Sequence, residues 1–139
     1  MKTPQELYNK LSYYTLARTD PSFIHQHIVD AFTAQQADKE TKPIAITFAL
    51  IGLYLYLEKN YTGRQVQLAH MQIAKKEQNW PKFDLPENRG TITLYDVVAT
   101  EPGEMRDSMI HKWCMSVWEA YEQGHEKVVR LTKSLIFNS

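Results

Sequence analysis

At 139 residues the chain has the length of a single domain and can bury roughly two thirds of its unfolded surface, so no covalent staple is required; its lone cysteine, Cys114, excludes a disulfide within the chain. Hydrophobic residues make up 43% of it, too many for a disordered chain. Lys and Arg number 16 against 16 Asp and Glu, so the basic excess that marks a nucleic-acid binder is missing and no nucleic-acid partner is expected.

In chain order, Thr3-Pro4-Gln5-Glu6 has the form of a helix start, with Thr3 as N-cap, Pro4 at the first helical position and Glu6 reaching back. A first helix is predicted to about Ala17, with Leu7, Leu11 and Tyr14 turned inward and Tyr8 and Tyr13 widening the stripe. Asp20-Pro21 repeats the start signal, predicting a second helix from about Pro21 to Ala37. Pro43 then opens the most apolar stretch of the chain, about Pro43 to Glu58, where between Ile44 and Leu57 only Thr47 is clearly polar. A helix apolar on every side must be covered on every side. Its fourteen central residues rise about 21 Å, short of the roughly 20 residues that cross a bilayer. A buried central helix is predicted, and no membrane association. The N-terminal MKTPQELYNKL lacks the apolar run of a signal peptide, which makes a cytoplasmic protein the expectation.

Thr62 is the expected N-cap of a fourth helix that carries Val66, Ala69, His70, Ile73 and Ala74 on one side and stops near Trp80-Pro81. Pro81 to Thr91 reads as irregular, tied down by Phe83 and Leu85. Thr93, with Asp96 three positions on and Ile92 and Val97 placed as a hydrophobic staple, starts a short helix over about Leu94 to Ala99. After Glu101-Pro102-Gly103 a long helix begins near Glu104 with Met109, Ile110, Trp113, Val117, Ala120 and Tyr121 inward. Gly124 either ends it or is tolerated within it at about 1 kcal/mol, and Val128, Leu131 and Leu135 continue the period. No β pattern and no repeat is visible. The prediction is one all-α domain over residues 1–139, an antiparallel bundle of five to six helices around the central one.

Chemistry in such a bundle sits on inward faces. On the second helix His27 and Gln35 fall in the arc of Ile24, Ile28, Ala31 and Phe32, with Asp30 at its margin and His25 nearly opposite. On the fourth helix His70 lies among Val66, Ile73 and Ala74, with Gln67 one turn before it and Glu77 on the same arc. Three readings stay open. His27, Asp30, Gln35, Gln67 and His70 line a pocket for a small molecule. Alternatively His27, Asp30 and His70 hold a divalent transition metal such as zinc, iron or nickel, whose bound water would serve hydrolysis. In the third reading the same side chains form a satisfied hydrogen-bond network. A competing function is association, as a homodimer or with a protein partner, through Tyr13, Tyr14, Tyr54, Tyr56 and Trp118. Gly52 is expected to be a close-packing position, Cys114 a small buried hydrophobe, and His111 and His125 surface residues. Gly63-Arg64 reads as a capped helix start rather than an anion site. Phosphate-loop, GxSxG and HExxH motifs are absent.

The string His27-Ile28-Val29-Asp30-Ala31-Phe32-Thr33-Ala34-Gln35-Gln36, followed by Leu50-Ile51-Gly52-Leu53, His70, Trp80-Pro81, Thr93-Leu94-Tyr95-Asp96-Val97 and the pair Trp113 and Trp118, resembles a bacterial all-helical family carried only as a domain of unknown function. The likeness runs from about Ser22 to Tyr121. The family pattern has Tyr at the place of Phe32 and His at the place of Gln36, and an N-terminal cysteine pair that this chain lacks. The resemblance implies that His27, Asp30, Gln35 and His70 belong together, attaches no activity to them, and removes one candidate metal ligand at Gln36.

Overall fold

In the computed structural model, which describes residues 2–76 and 78–137, the chain is an all-helical bundle, with no strand among the described residues. Its helices are α1 (Pro4–Leu16), α2 (His25–Gln36), α3 (Pro43–Lys59), α4 (Gly63–Ala74), α5 (Leu94–Ala99), α6 (Glu104–Ala120) and α7 (His125–Thr132). Most start where a cap was expected. Thr3 Oγ1 accepts the Glu6 N–H at 3.2 Å while Glu6 reaches back to Thr3, and Thr62 with Gln65 and Thr93 with Asp96 form the same reciprocal box. The long helix ends at Ala120, capped by Tyr121, and a 3-10 turn, Glu122–Gly124, separates it from α7, so Gly124 neither ends the helix nor lies within it.

Two boundaries differ from expectation. The second helix starts at His25 rather than Pro21, because the Asp20 carboxylate caps a turn instead of a helix, accepting the N–H groups of Ser22 (3.1 Å) and Ile24 (2.8 Å). Phe23 inside that turn has φ 58°, which breaks any helical path. The fourth helix ends at Ala74, well before Trp80, and the departing chain lets Trp80 pack edge-on against Phe48 at 5.4 Å. Glu77, expected on the inward arc of this helix, lies outside the described residues.

The expected axis is α3, whose residues from Ala49 through Leu55 are all buried. Thr47, fully buried, returns its hydroxyl to the Pro43 carbonyl at 2.8 Å, and Asn60 closes the helix in the left-handed region at φ 58°. Around α3 pack α2, α4, α6 and α7, with α2 and α4 also touching each other. Leu50, Ile51, Leu53 and Leu55 are wholly inaccessible, each contributing about 1.5–3 kcal/mol of apolar burial. Because α2 and α4 meet directly, α3 lies behind that pair rather than between its members.

The expected aromatic association surface is not formed. Tyr54 and Trp118 are buried in the core, Tyr14 and Tyr56 are half-buried, and only Tyr13 stands out, at 77% exposure, on the outside of α1 rather than widening its inner stripe. His125, expected at the surface, is half-buried and stacked on Trp118 at 3.7 Å. No helix among the described residues is long and apolar enough to cross a membrane.

Candidate functional site

One row of α3 sets out the site. Phe48, Gly52 and Tyr56 follow each other at single-turn spacing, so they share a face. Each receives one of the polar residues that the sequence singled out. His70 meets Phe48, its Nε2–H donating to the Phe48 carbonyl at 2.8 Å with the rings 5.2 Å apart. Asp30 fills the notch at Gly52, where a Cβ would lie 2.0 Å from its Oδ2 and 3.1 Å from His70 Nε2. His27 lies flat on Tyr56, ring centroids 3.5 Å apart and planes 11° apart. Gly52 is therefore the close-packing position expected, and what it admits is a carboxyl and an imidazole.

Burial dominates the electrostatics of these three groups. Asp30 is 3% exposed; its Oδ1 accepts from Gln26 Nε2 at 3.2 Å, and its Oδ2 has no partner among the described residues. Desolvation pushes this carboxyl well above the usual carboxylate range, with the Gln26 bond opposing in part. His27 is 4% exposed, and its Nδ1 likewise has no partner. Desolvation lowers its pKa to about 4, with Asp20 opposing and His111 adding to the shift. His70 is lowered by burial too, against the raising effect of the Phe48 carbonyl. Behind them Cys114 Sγ donates to the His27 carbonyl at 3.6 Å. Burial raises this thiol, so Cys114 is the inert buried hydrophobe expected.

No group of three or more His, Cys, Asp or Glu among the described residues is arranged to hold a metal ion. Of the expected set His27, Asp30 and His70, Asp30 and His70 meet at the Gly52 notch, but His70 Nε2 is spent on the Phe48 carbonyl and His27 stands a turn away along α3, stacked flat on Tyr56. Gln35 also leaves the set. Its Nε2 donates to the carbonyls of Arg89 (3.2 Å) and Ile92 (2.9 Å), and its Oε1 accepts from Trp113 Nε1 at 2.8 Å. It thus ties the irregular segment to the core, beside a separate surface cleft with Arg89 and Tyr95. Gln67 accepts from Arg64 on the outer part of α4.

What the sequence reading missed is the opening next to His27. A cleft of about 320 Å³ is bordered by His27, Arg18, Asp20, Tyr56, Tyr61 and Asp107, among others. Asp20 had signalled only as a cap, and no spacing pattern connects Arg18, in the connection after α1, with Asp107 of α6, though the two meet at 3.0 Å. The Asp20–Ile24 turn forms one wall. It is held by the Arg64 N–H on the Ser22 carbonyl (2.9 Å) and by the contact of Gly63 with the Phe23 carbonyl, 1.7 Å from where a Cβ would stand. That packing occupies the start of α4, so no anion site forms there. A non-glycine residue at φ 58°, as Phe23 is, costs about 1–3 kcal/mol.

No curated protein and no solved structure matches this chain. The pattern of a family of unknown function, DUF5946, matches residues 3–122, from the cap of α1 past the end of α6 and so across the whole site, and the chain belongs to that family.

Proposed function

We propose that the protein is a cytoplasmic small-molecule binder whose ligand occupies the cleft beside His27, with Asp30 and His70 behind it. The observation that carries this reading is His27 itself, a side chain 4% exposed on the wall of the cleft with an unpartnered Nδ1. Leaving a buried polar group unpaired costs about 1–3 kcal/mol, and native proteins keep few of them. Asp30 Oδ2, one turn along α2, repeats that cost, and the positive φ of Phe23 adds a third in the adjoining turn. Such costs gathered in one place fit a site shaped by function rather than by stability.

Binding is favoured over hydrolysis. A general base works best with a pKa near the operating pH; His27 sits near 4, and the Nε2–H of His70 is committed to a backbone carbonyl. The test is a thermal-shift screen of small polar metabolites against the wild-type chain and His27→Phe, which keeps the stack on Tyr56. With five histidines, ring-nitrogen NMR resolves His27. A true ligand stabilises the wild type, moves the His27 signals and leaves His27→Phe unchanged. A screen whose hits act equally on both proteins would sink the reading.

A further inference from the structure

The outer side of α6 carries a charge pattern that complements itself. Glu104, Ser108 and Lys112 follow one another at single-turn spacing and so form one ridge along the helix. All three are exposed, and the side chains of Glu104 and Lys112 enter no ion pair or hydrogen bond among the described residues. Serine stands at the midpoint, with the anion four residues before it and the cation four residues after it. At about 1.5 Å per residue, each charge lies about 6 Å from that midpoint along the axis. The same ridge borders a surface cleft of about 310 Å³ lined also by Met105 and Met109, and Met105 is 64% exposed.

A twofold axis through Ser108, perpendicular to the helix, lays a second copy of α6 antiparallel on the first. Glu104 of each copy then meets Lys112 of the other, so the pair occurs twice. With about 100° per residue, Glu104 lies about 40° to one side of Ser108 and Lys112 about 40° to the other, which is where that axis brings them together. The next positions outward oppose Met105 to His111, an exposed ring against which a thioether packs well. A parallel arrangement sets Glu104 on Glu104 and Lys112 on Lys112, so the charges select the antiparallel one. The outer row of α4 exposes more apolar surface but specifies less. There Leu68 and Met71, each 56% exposed, are flanked by Arg64 and Lys75; both ends are positive, so a second copy of that row is repelled.

We propose that the protein self-associates through the α6 ridge, as a twofold dimer closed by two Glu104–Lys112 pairs. A ridge of so few side chains falls well short of the about 20–30 residues a side of a standard interface, so the dimer is weak. The test is sedimentation equilibrium of the full chain from about 10 μM to about 1 mM, the range of weak complexes, at low ionic strength, where exposed charges are screened least. The mean mass rises from one chain towards two. Lys112→Glu sets like charges together at both pairs and weakens association at least about tenfold, because the symmetry repeats the loss; Glu104→Lys does the same. Combining the two substitutions rebuilds both pairs with their signs exchanged, and association returns to within about threefold of the wild type. A chain that stays monomeric across the range overturns the proposal. So does a dimer indifferent to Lys112→Glu, or one that the combined exchange fails to restore, since either result places the contact elsewhere.

Discussion

Replacing Gly52 by alanine tests the notch at the centre of the site. The new Cβ would stand 2.0 Å from Asp30 Oδ2 and 2.7 Å from its Cγ, so the carboxyl has to withdraw by more than an ångström from a position that is 3% exposed. Overpacking of this kind costs about 1–3 kcal/mol, and losing the bond from Gln26 adds about 1 kcal/mol. Against this stands a gain of about 1 kcal/mol, since alanine is the better residue inside a helix. The clash wins, and the net loss is about 2 kcal/mol, roughly 6–8 °C in Tm for a domain of this size. Urea unfolding followed by tryptophan fluorescence measures it. The decisive control is the same change in an Asp30→Ala background, where the notch is vacated and Gly52→Ala should become stabilising by about 1 kcal/mol. An equal cost in both backgrounds would refute the idea that Asp30 is what the glycine accommodates.

The remaining expectations concern pH, the irregular segment and the Phe23 turn. His27 titrates near 4 when folded against 6.5 unfolded, so the unfolded state binds the extra proton between those values and stability rises with pH across that window, by roughly 3 kcal/mol. Asp30 has the opposite sign: its folded pKa is raised above 3.8, the folded state holds a proton that the unfolded state releases, and stability falls as pH climbs above 3.8. Urea midpoints across pH should therefore show a flattened acid limb in His27→Gln and, in Asp30→Asn, a gain over the wild type at neutral pH; parallel curves for all three proteins would contradict both assignments. Gln35→Ala strands Trp113 Nε1, on a fully buried ring, and should cost about 1–3 kcal/mol, with faster amide exchange confined at first to the stretch near Arg89 and Ile92. Gly63→Ala puts a Cβ 1.7 Å from the Phe23 carbonyl oxygen, a backbone atom that cannot rotate away. The expected loss is about 2–3 kcal/mol, together with any His27 response to ligand, and an unperturbed cleft in that variant would count against the packing described.

Local signals survived into the structure where the physics is local. Thr3 and Glu6, Thr62 and Gln65, and Thr93 and Asp96 each close a box within four residues, so neighbouring sequence suffices to place those helix starts. Asp20 was legible as a cap, yet what it caps was not, because the turn is settled by contacts with Gly63 and Arg64, some forty residues away. Gln35 shows the limit of reading faces. Its position on the inward arc was correct, but an inward glutamine reaches different partners according to which segment folds over it, here Arg89, Ile92 and Trp113. The aromatic surface failed for a related reason, since Tyr54 and Trp118 are apolar enough to be drawn into whatever core lies nearest.

The sequence by itself determined that the chain is all-helical, that Pro43 to Glu58 is its buried axis and that His27, Asp30 and His70 face inward, because helical periodicity and apolar content act along one segment at a time. Only the tertiary structure decided how those residues are used. The row Phe48, Gly52 and Tyr56 sets His27 a turn away from Asp30 and His70, which share the Gly52 notch, instead of joining all three around an ion, and Asp107 comes to the cleft beside Arg18 and Asp20 from a part of the chain that no sequence spacing connects to them. A site of this kind is made by the approach of elements, and side-chain periodicity carries no information about which elements approach.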